Sequence, residues 1–404
     1  MFESLLGSDF LTKDQLRALD SYKYSAIDRS FTTKYVLSHY WNWCVQFFPM
    51  NMAPNLITLT GLFFMIFNVG LAVIFAPNMG AGEDEAGPNW IYFSFAIGLW
   101  LYSTFDNVDG KQARRTGTSS PLGELFDHGC DAVNCSFAAV LQATAIGLGH
   151  SKASVILYAI AMLGFYLSTA EEYHTGVLYL GYINAPTEGV VLTCIVFVLS
   201  GIYGPGMWNT PISEVTSMLP KSLDEMPVSH AIIWWIGILF LFTHAPACLY
   251  AMYRACKRKG QPFLQTIVVQ NIPIATYIIC LYLWVTSPHS TLLTHQHFIL
   301  FTITTGIVFG RMATKIILAH LTKSPFPRFT ILLVPLIMGA VLTNISLWDS
   351  SIDPVFTPES EMLFLVGYFV FAFVIYMRWA LIVINSFCEY LGIKCLTIPE
   401  KLAE

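Results

Sequence analysis

Ten apolar stretches, each close to the roughly 20 residues that cross a bilayer as a helix, recur from residue 56 onward in this 404-residue chain. They run over about 56–76, 90–108, 124–148, 154–172, 189–205, 229–252, 263–286, 295–320, 329–347 and 361–386. Hydrocarbon offers no water to the backbone, so each crossing must satisfy its own N–H and C=O groups as a helix. The third and eighth stretches carry charges, so hydropathy alone scores them lower. Only 12% of the residues are charged, against roughly 25% in soluble domains, and most of the chain therefore cannot face water. The expected fold is all-α: a polytopic membrane helix bundle of about ten transmembrane helices.

The basic residues orient this bundle. With both termini in the cytosol, the cytosolic segments are 1–55, 109–123, 173–188, 253–262, 321–328 and the C-terminal tail. Lys13, Lys23, Lys34, Lys111, Arg114, Arg115, Arg254, Lys257, Arg258, Lys259, Lys323 and Arg328 all fall there. The opposite loops hold only Lys152 and Lys221 and are acidic instead, with GEDEAG at 82–87 and Asp349, Asp353 and Glu359; Glu361 stands at the edge of the last stretch. That asymmetry follows the positive-inside rule. The net charge of −5 carries less information than this distribution, and no nucleic-acid partner is expected.

Nine scattered cysteines form no C-x-x-C pair, so neither a disulfide framework nor a zinc site is expected. The N-terminus lacks the pattern of a cleaved signal peptide. Residues 31–49 mix Trp41, Trp43, Phe47 and Phe48 with Lys34, His39 and Gln46. This suits an amphipathic helix in the membrane interface or, equally, a helix packed on the bundle. Pro54 then opens the first span, where its missing N–H costs nothing. The cytosolic loops are too short for a separate catalytic domain, so any chemistry occurs in the bundle or at its edge. The organisation expected is a cytosolic segment over 1–55, core spans over 56–205, further spans over 206–390 and a tail over 391–404.

From Asp106 to Asp131 the chain reads DNVDGKQARRTGTSSPLGELFDHGCD. Asp106 and Asp109 lie three apart at the end of the second stretch, and Asp127 and Asp131 lie four apart on the next, so each pair shares a helix face. A hairpin brings the four carboxylates together, where they need a counter-charge. One or two divalent cations supply it, with Mg²⁺ favoured by all-oxygen ligands and Mn²⁺ the alternative. The competing structural reading is salt bridges to Arg114 or Arg115, but four acids outnumber two bases. Gly110 and Gly123 permit close backbone approach, although Gly123 equally suits a helix start. Arg114 can clamp a phosphate bidentately. Glu124 and His128 are interleaved with the acids on one face. A neutral imidazole accepts a hydroxyl proton near pH 7 better than a metal-bound carboxylate does, and Glu124 is placed to orient it. Asp131 is the competing base.

Written as D-x-x-D-G-x-x-A-R, eight residues, G-x-x-x-D-x-x-x-D, this segment is the signature of the CDP-alcohol phosphotransferases. Further segments resemble the eukaryotic choline and ethanolamine branch: MAPNLITLTG at 52–61, PLGELFDHGCD at 121–131, EEYHTGVLYL, GIYGP and GRMATKIILAHLTKSPFP. The similarity runs over nearly the whole chain, but only the motif is highly specific. The resemblance implies transfer of phosphocholine or phosphoethanolamine from CDP-choline or CDP-ethanolamine to diacylglycerol, with CMP released. It implies two metal ions on Asp106, Asp109, Asp127 and Asp131, and CDP-alcohol contacts from Asn55, Asp106, Gly110, Ala113, Arg114 and Gly123. It also implies a homodimer in the endoplasmic reticulum, or alternatively the Golgi, with the site facing the cytosol.

One departure bears on the headgroup. The family usually has Trp before Glu171, where this chain has Ala170. Glu171, Tyr173 and Glu188 are the remaining headgroup candidates, Tyr173 through an aromatic face and Glu188 against a plain helix-start role. Arg311 and Lys315 either meet phosphate groups or snorkel to the interface. The competing functional classes are a transporter, which usually carries inverted repeats not seen here, and a catalytically idle scaffold.

Overall fold

The computed structural model describes residues 10–22, 25–82, 86–182, 184–216 and 220–398. Lys23, the acidic loop residues Glu83, Asp84 and Glu85, and the end of the tail from 399 lie outside the described residues. Helices occupy all ten apolar stretches. They are α1 Pro54–Phe75, α2 Trp90–Thr116, α3 Pro121–Ala145, α4 Lys152–Thr175 and α5 Ala185–Tyr203. Then follow α6 Val228–Arg258, α7 Phe263–Thr286, α8 Phe298–Leu321, α9 Leu333–Trp348 and α10 Pro358–Leu391. Seven of them, α1, α4–α8 and α10, are long and apolar enough to cross a membrane by length and composition, and α9 is a shorter apolar helix. The two below that standard are α2 and α3, which carry the aspartates. α8, with Arg311 and Lys315, has the lowest mean hydropathy of the seven, 1.3 against 1.7–2.2, as its charges imply; the further polar stretch is the second, α2.

Local chemistry sets the hairpin between α2 and α3. Gly117 closes α2 in the left-handed region at φ +67°, where a Cβ is strained. Three residues on, the Ser120 side chain caps α3 by accepting from the Gly123 N–H at 3.3 Å, and Pro121 fills the first turn. α3 therefore starts before the apolar stretch does, and its first turn holds Gly123 and Glu124.

α8 is the central strut: 83% of its best spanning window is buried, against 22% for α10. Small residues let α3 lie against it. A Cβ added at Gly306 would stand 2.5 Å from Ser136 Cβ, and one at Gly310 2.7 Å from Val133 Cγ2. Such contacts drive helix association where lipid removes the hydrophobic incentive. α1 and α2 are joined by Asn68, which donates to the Ser94 carbonyl at 2.9 Å and accepts from Ser94 Oγ at 2.7 Å. Fully buried Glu361 of α10 accepts from Trp284 Nε1, Ser290 Oγ, Thr291 N and Thr291 Oγ1 at 2.6–2.8 Å. Its charge is thereby supported by four donors.

The segment expected as one amphipathic helix is a continuous helical run over 31–47, with a π turn at Thr33–Leu37, an α-helix over Ser38–Cys44 and a 3₁₀ end at Val45–Phe47. Leu37, Trp41 and Cys44 pack with Ile57 and Val108, while Tyr35, Val36, Trp43 and Phe47 stay exposed. One face of this helix is thus packed on the bundle and the other is exposed. Among the described residues the only paired strands are Ala26–Asp28 and Leu178–Leu180, in parallel.

Candidate functional site

The hairpin gathers three of the four aspartates. Asp106, Asp127 and Asp131 each offer a carboxylate oxygen, and these oxygens lie within 4.8 Å of one another. Asp106 Oδ1 and Asp127 Oδ1 are buried with no hydrogen-bond donor. Asp131 Oδ1 accepts from the Tyr102 hydroxyl at 2.5 Å. Asp109 lies beside the trio, against Asp127, and its Oδ2 accepts from Thr58 of α1. Clustered carboxylates with unpartnered buried oxygens are unstable without a cation, and an all-oxygen donor set fits a hard divalent ion. Salt bridging does not replace it: among the described residues neither Arg114 nor Arg115 pairs with these acids. Arg115 donates instead to the Val45 and Phe48 carbonyls at 2.9 and 3.0 Å, tying the interfacial segment to α2. The Arg114 guanidinium folds over Gly110, 3.5 Å from where a Cβ there would sit.

A second group lies beside the trio. Glu124, His128 and Glu172 are also within 4.8 Å through one ligand atom each. Glu124 and His128 share a face of α3, whereas Glu172 reaches across from α4. His128 Nδ1 stands 3.7 Å from Glu172 Oε2, with both side chains nearly buried. Glu124 Oε2 accepts from the Tyr22 hydroxyl at 2.5 Å. Sequence reasoning missed Glu172, Tyr22, Tyr102 and Thr58 as neighbours of the site. Of these, only Tyr102 on α2, one turn before Asp106, could have been found from spacing.

The residues expected to contact the CDP-alcohol gather where the start of α1, the end of α2 and the start of α3 meet. Gly110, Ala113 and Arg114 occupy the last turns of α2 and are partly or fully exposed. A Cβ on Gly123 would lie 3.9 Å from Asn55 Oδ1, so α1 and α3 meet at these two residues. Asn55 Nδ2 donates to the Cys395 carbonyl at 3.1 Å, and Met52 bridges Thr397. The segment after α10 therefore folds back over Asn55.

The headgroup candidates are scattered. Ala170 is buried in the core among α4, α7 and α8. The Glu171 side chain bonds Cys248 of α6. Tyr173 donates to the Ser324 carbonyl at 2.9 Å and stands edge-on to Phe326. Glu188 accepts from Ser30 Oγ at 2.5 Å and from the Asn184 N–H at 2.9 Å, the bonding of a helix-start acid. Arg311 is buried with its guanidinium 5.5 Å from the centre of the Trp379 ring, which rules out snorkelling for that residue.

The family model described as CDP-alcohol phosphatidyltransferase matches residues 51–215, a span that contains both carboxylate groups. Choline/ethanolaminephosphotransferase 1 of Arabidopsis thaliana is 33% identical, covering 96% of this chain and 97% of its own length. Choline/ethanolaminephosphotransferase 1 of Saccharomyces cerevisiae is 34% identical over 97% of this chain and 98% of its own. The chain belongs to the CDP-alcohol phosphatidyltransferase family. An uncharacterised class-I member from Schizosaccharomyces pombe is similarly related, at 35% identity over 97% of this chain and 98% of its own. Enzymes of the CDP-alcohol phosphatidyltransferase family act on CDP-alcohols and lipid substrates in membranes and depend on divalent metal. The seven spanning helices and the acidic trio agree with both properties.

Proposed function

We propose that this protein transfers phosphocholine, phosphoethanolamine or both from the CDP-alcohol to diacylglycerol, releasing CMP and forming phosphatidylcholine or phosphatidylethanolamine. The observation that carries the reading is the imidazole of His128 set one residue from the carboxylate trio, in a chain similar end to end to choline/ethanolaminephosphotransferases. Asp106, Asp127 and Asp131, with Asp109 beside them, would hold one or two divalent ions, Mg²⁺ in first place and Mn²⁺ as the alternative. A bound divalent ion acts as Lewis acid and template on the pyrophosphate.

The protein's own residues do the rest. Gly110, Ala113, Gly123 and Asn55 admit and face the nucleotide, and Arg114, lying over Gly110, clamps phosphate. His128, with Glu124 on the same face, takes the proton of the diacylglycerol hydroxyl as that oxygen attacks phosphorus. Asp131 is the competing base, though its Oδ1 is already engaged by Tyr102. Of the headgroup candidates, Tyr173 and Glu188 are occupied by protein partners. Ala170 offers no aromatic face, and the choice between choline and ethanolamine is left to the assay.

The arrangement we assign is a cytosolic N-terminal segment over 1–55 and a catalytic core over 56–205. Spans over 206–390 would supply the lipid cavity and homodimer contacts, and a cytosolic tail covers 391–404. The endoplasmic reticulum, or the Golgi, would be the host membrane, with the site open to the cytosol. The test is incorporation of labelled CDP-choline and CDP-ethanolamine into diacylglycerol by the purified protein, with Mg²⁺ and with EDTA. Mg²⁺-dependent lipid product with stoichiometric CMP supports the reading. No product from either donor overturns it in favour of another CDP-alcohol synthase or an idle scaffold.

A further inference from the structure

We propose that Glu172 is a positioning residue for the transfer: it holds the His128 ring through Nδ1, so that Nε2 is the atom that takes the acceptor's proton. The inference rests on the reading of His128 as the base. The two ring nitrogens are not equivalent, and which one is free to accept is set by the hydrogen bond that the other makes. Nδ1 faces Glu172 Oε2 at 3.7 Å. That is ion-pair range rather than hydrogen-bond range, and catalytic contacts of this kind often tighten only when substrate is bound.

Glu124 is the sequence's own choice for the orienting carboxylate; it too lies within reach of the ring, but one of its oxygens is shared with the N-terminal segment. Its Oε2 accepts the Tyr22 hydroxyl at 2.5 Å, which links the N-terminal segment to α3. Glu172 comes instead from α4, is buried, and meets the ring across the helix interface. A buried carboxylate is costly unless it is paired, and the basic group it faces is His128. The pairing also gains strength at the moment of transfer, because a second proton on the ring makes it cationic beside the acid.

The step balances without a further reactant. The acceptor oxygen forms a bond to the phosphorus that carries the alcohol. The bond from that phosphorus to the oxygen it shares with CMP breaks, and CMP leaves with the electron pair. The hydroxyl proton moves to Nε2 and later to water, while the Nδ1 proton stays directed at Glu172.

Glu172→Gln and Glu172→Asp in the full chain, assayed for CMP release with CDP-choline or CDP-ethanolamine and diacylglycerol, test the idea. Glu172→Gln should lower kcat about 100-fold, the lower end of what a general base supplies, with KM for the CDP-alcohol within about twofold of wild type. Glu172→Asp, which keeps the charge one methylene further away, should recover about tenfold of that loss. If Glu172→Gln does not survive purification, Glu172→Asp alone carries the test, and it should lose about tenfold in kcat at unchanged KM. Wild-type kcat in either variant overturns the proposal, as does a loss expressed in KM. A wild-type protein that releases no CMP defeats the underlying reading of function rather than this assignment.

Discussion

His128 is flanked by two acids that reach it by different routes, and the difference separates what spacing can reveal from what it cannot. Glu124 lies four residues before it on α3 and is visible to any helical periodicity argument. Glu172 lies on another helix, and no pattern in the chain links the two. The same holds for the aspartates: the D-x-x-D and D-x-x-x-D spacings give two shared faces, but they do not say that Thr58 of α1 donates to Asp109 at the edge of the cluster. At this scale, His128→Ala is expected to lower turnover at least about 100-fold while sparing CDP-alcohol binding, checked by CMP release and by equilibrium binding of labelled donor. Equal loss of both would remove His128 as base. Asp127→Asn takes a carboxylate from the trio, so the Mg²⁺ concentration giving half-maximal rate should rise by tenfold or more, about 1.4 kcal/mol of binding free energy. A metal titration of the rate reads this directly.

α3 and α8 touch through glycine, and that contact fixes where the carboxylates sit. The Cβ of Gly306→Ala would fall 2.5 Å from Ser136 Cβ, which no rotamer change relieves, so the helices must separate. Overpacking of this kind costs about 1–3 kcal/mol, expected as a lower apparent Tm in detergent together with reduced kcat. Unchanged Tm would mean that the α3–α8 contact is looser than its geometry implies. Ten helices were readable from apolar length, and Pro54, Gly117, Ser120 and Pro121 mark boundaries by their own chemistry. The breaks were not readable. α6 passes through a π turn at Phe240–His244 just before Pro246, where a missing N–H disturbs the ladder. The helix over 31–47 likewise carries a π turn at Thr33–Leu37, with Leu37, Trp41 and Cys44 packed on the bundle.

Across the whole molecule, the described N-terminal and C-terminal segments converge at the end of the bundle that carries Asn55 and Glu124. Tyr22 bonds Glu124, Tyr390 donates to Asp20 at 2.8 Å, and Cys395 covers Asn55. Deleting the chain from Ile393 onward removes the Asn55 partner and the Met52–Thr397 bridge. It should therefore raise KM for the CDP-alcohol several-fold while the bundle still purifies, as steady-state kinetics would show. Saturating CDP-alcohol with Mg²⁺ should raise the apparent Tm of the intact protein, since a ligand at 100 times its Kd contributes about 2.7 kcal/mol to the native state. The same donor in EDTA should give a much smaller shift. By itself the sequence determined the helical membrane class, the number and order of the helices and the motif that marks the family. Each of these follows from local hydropathy, charge or spacing along one chain. Only the tertiary structure decided that Glu172 meets His128, that Thr58 donates to Asp109, and that the Tyr173 hydroxyl and Glu188 bond neighbouring segments. Those outcomes depend on which faces of separate helices meet, and in a bundle surrounded by lipid small-residue packing and paired polar groups choose the faces, not apolar periodicity.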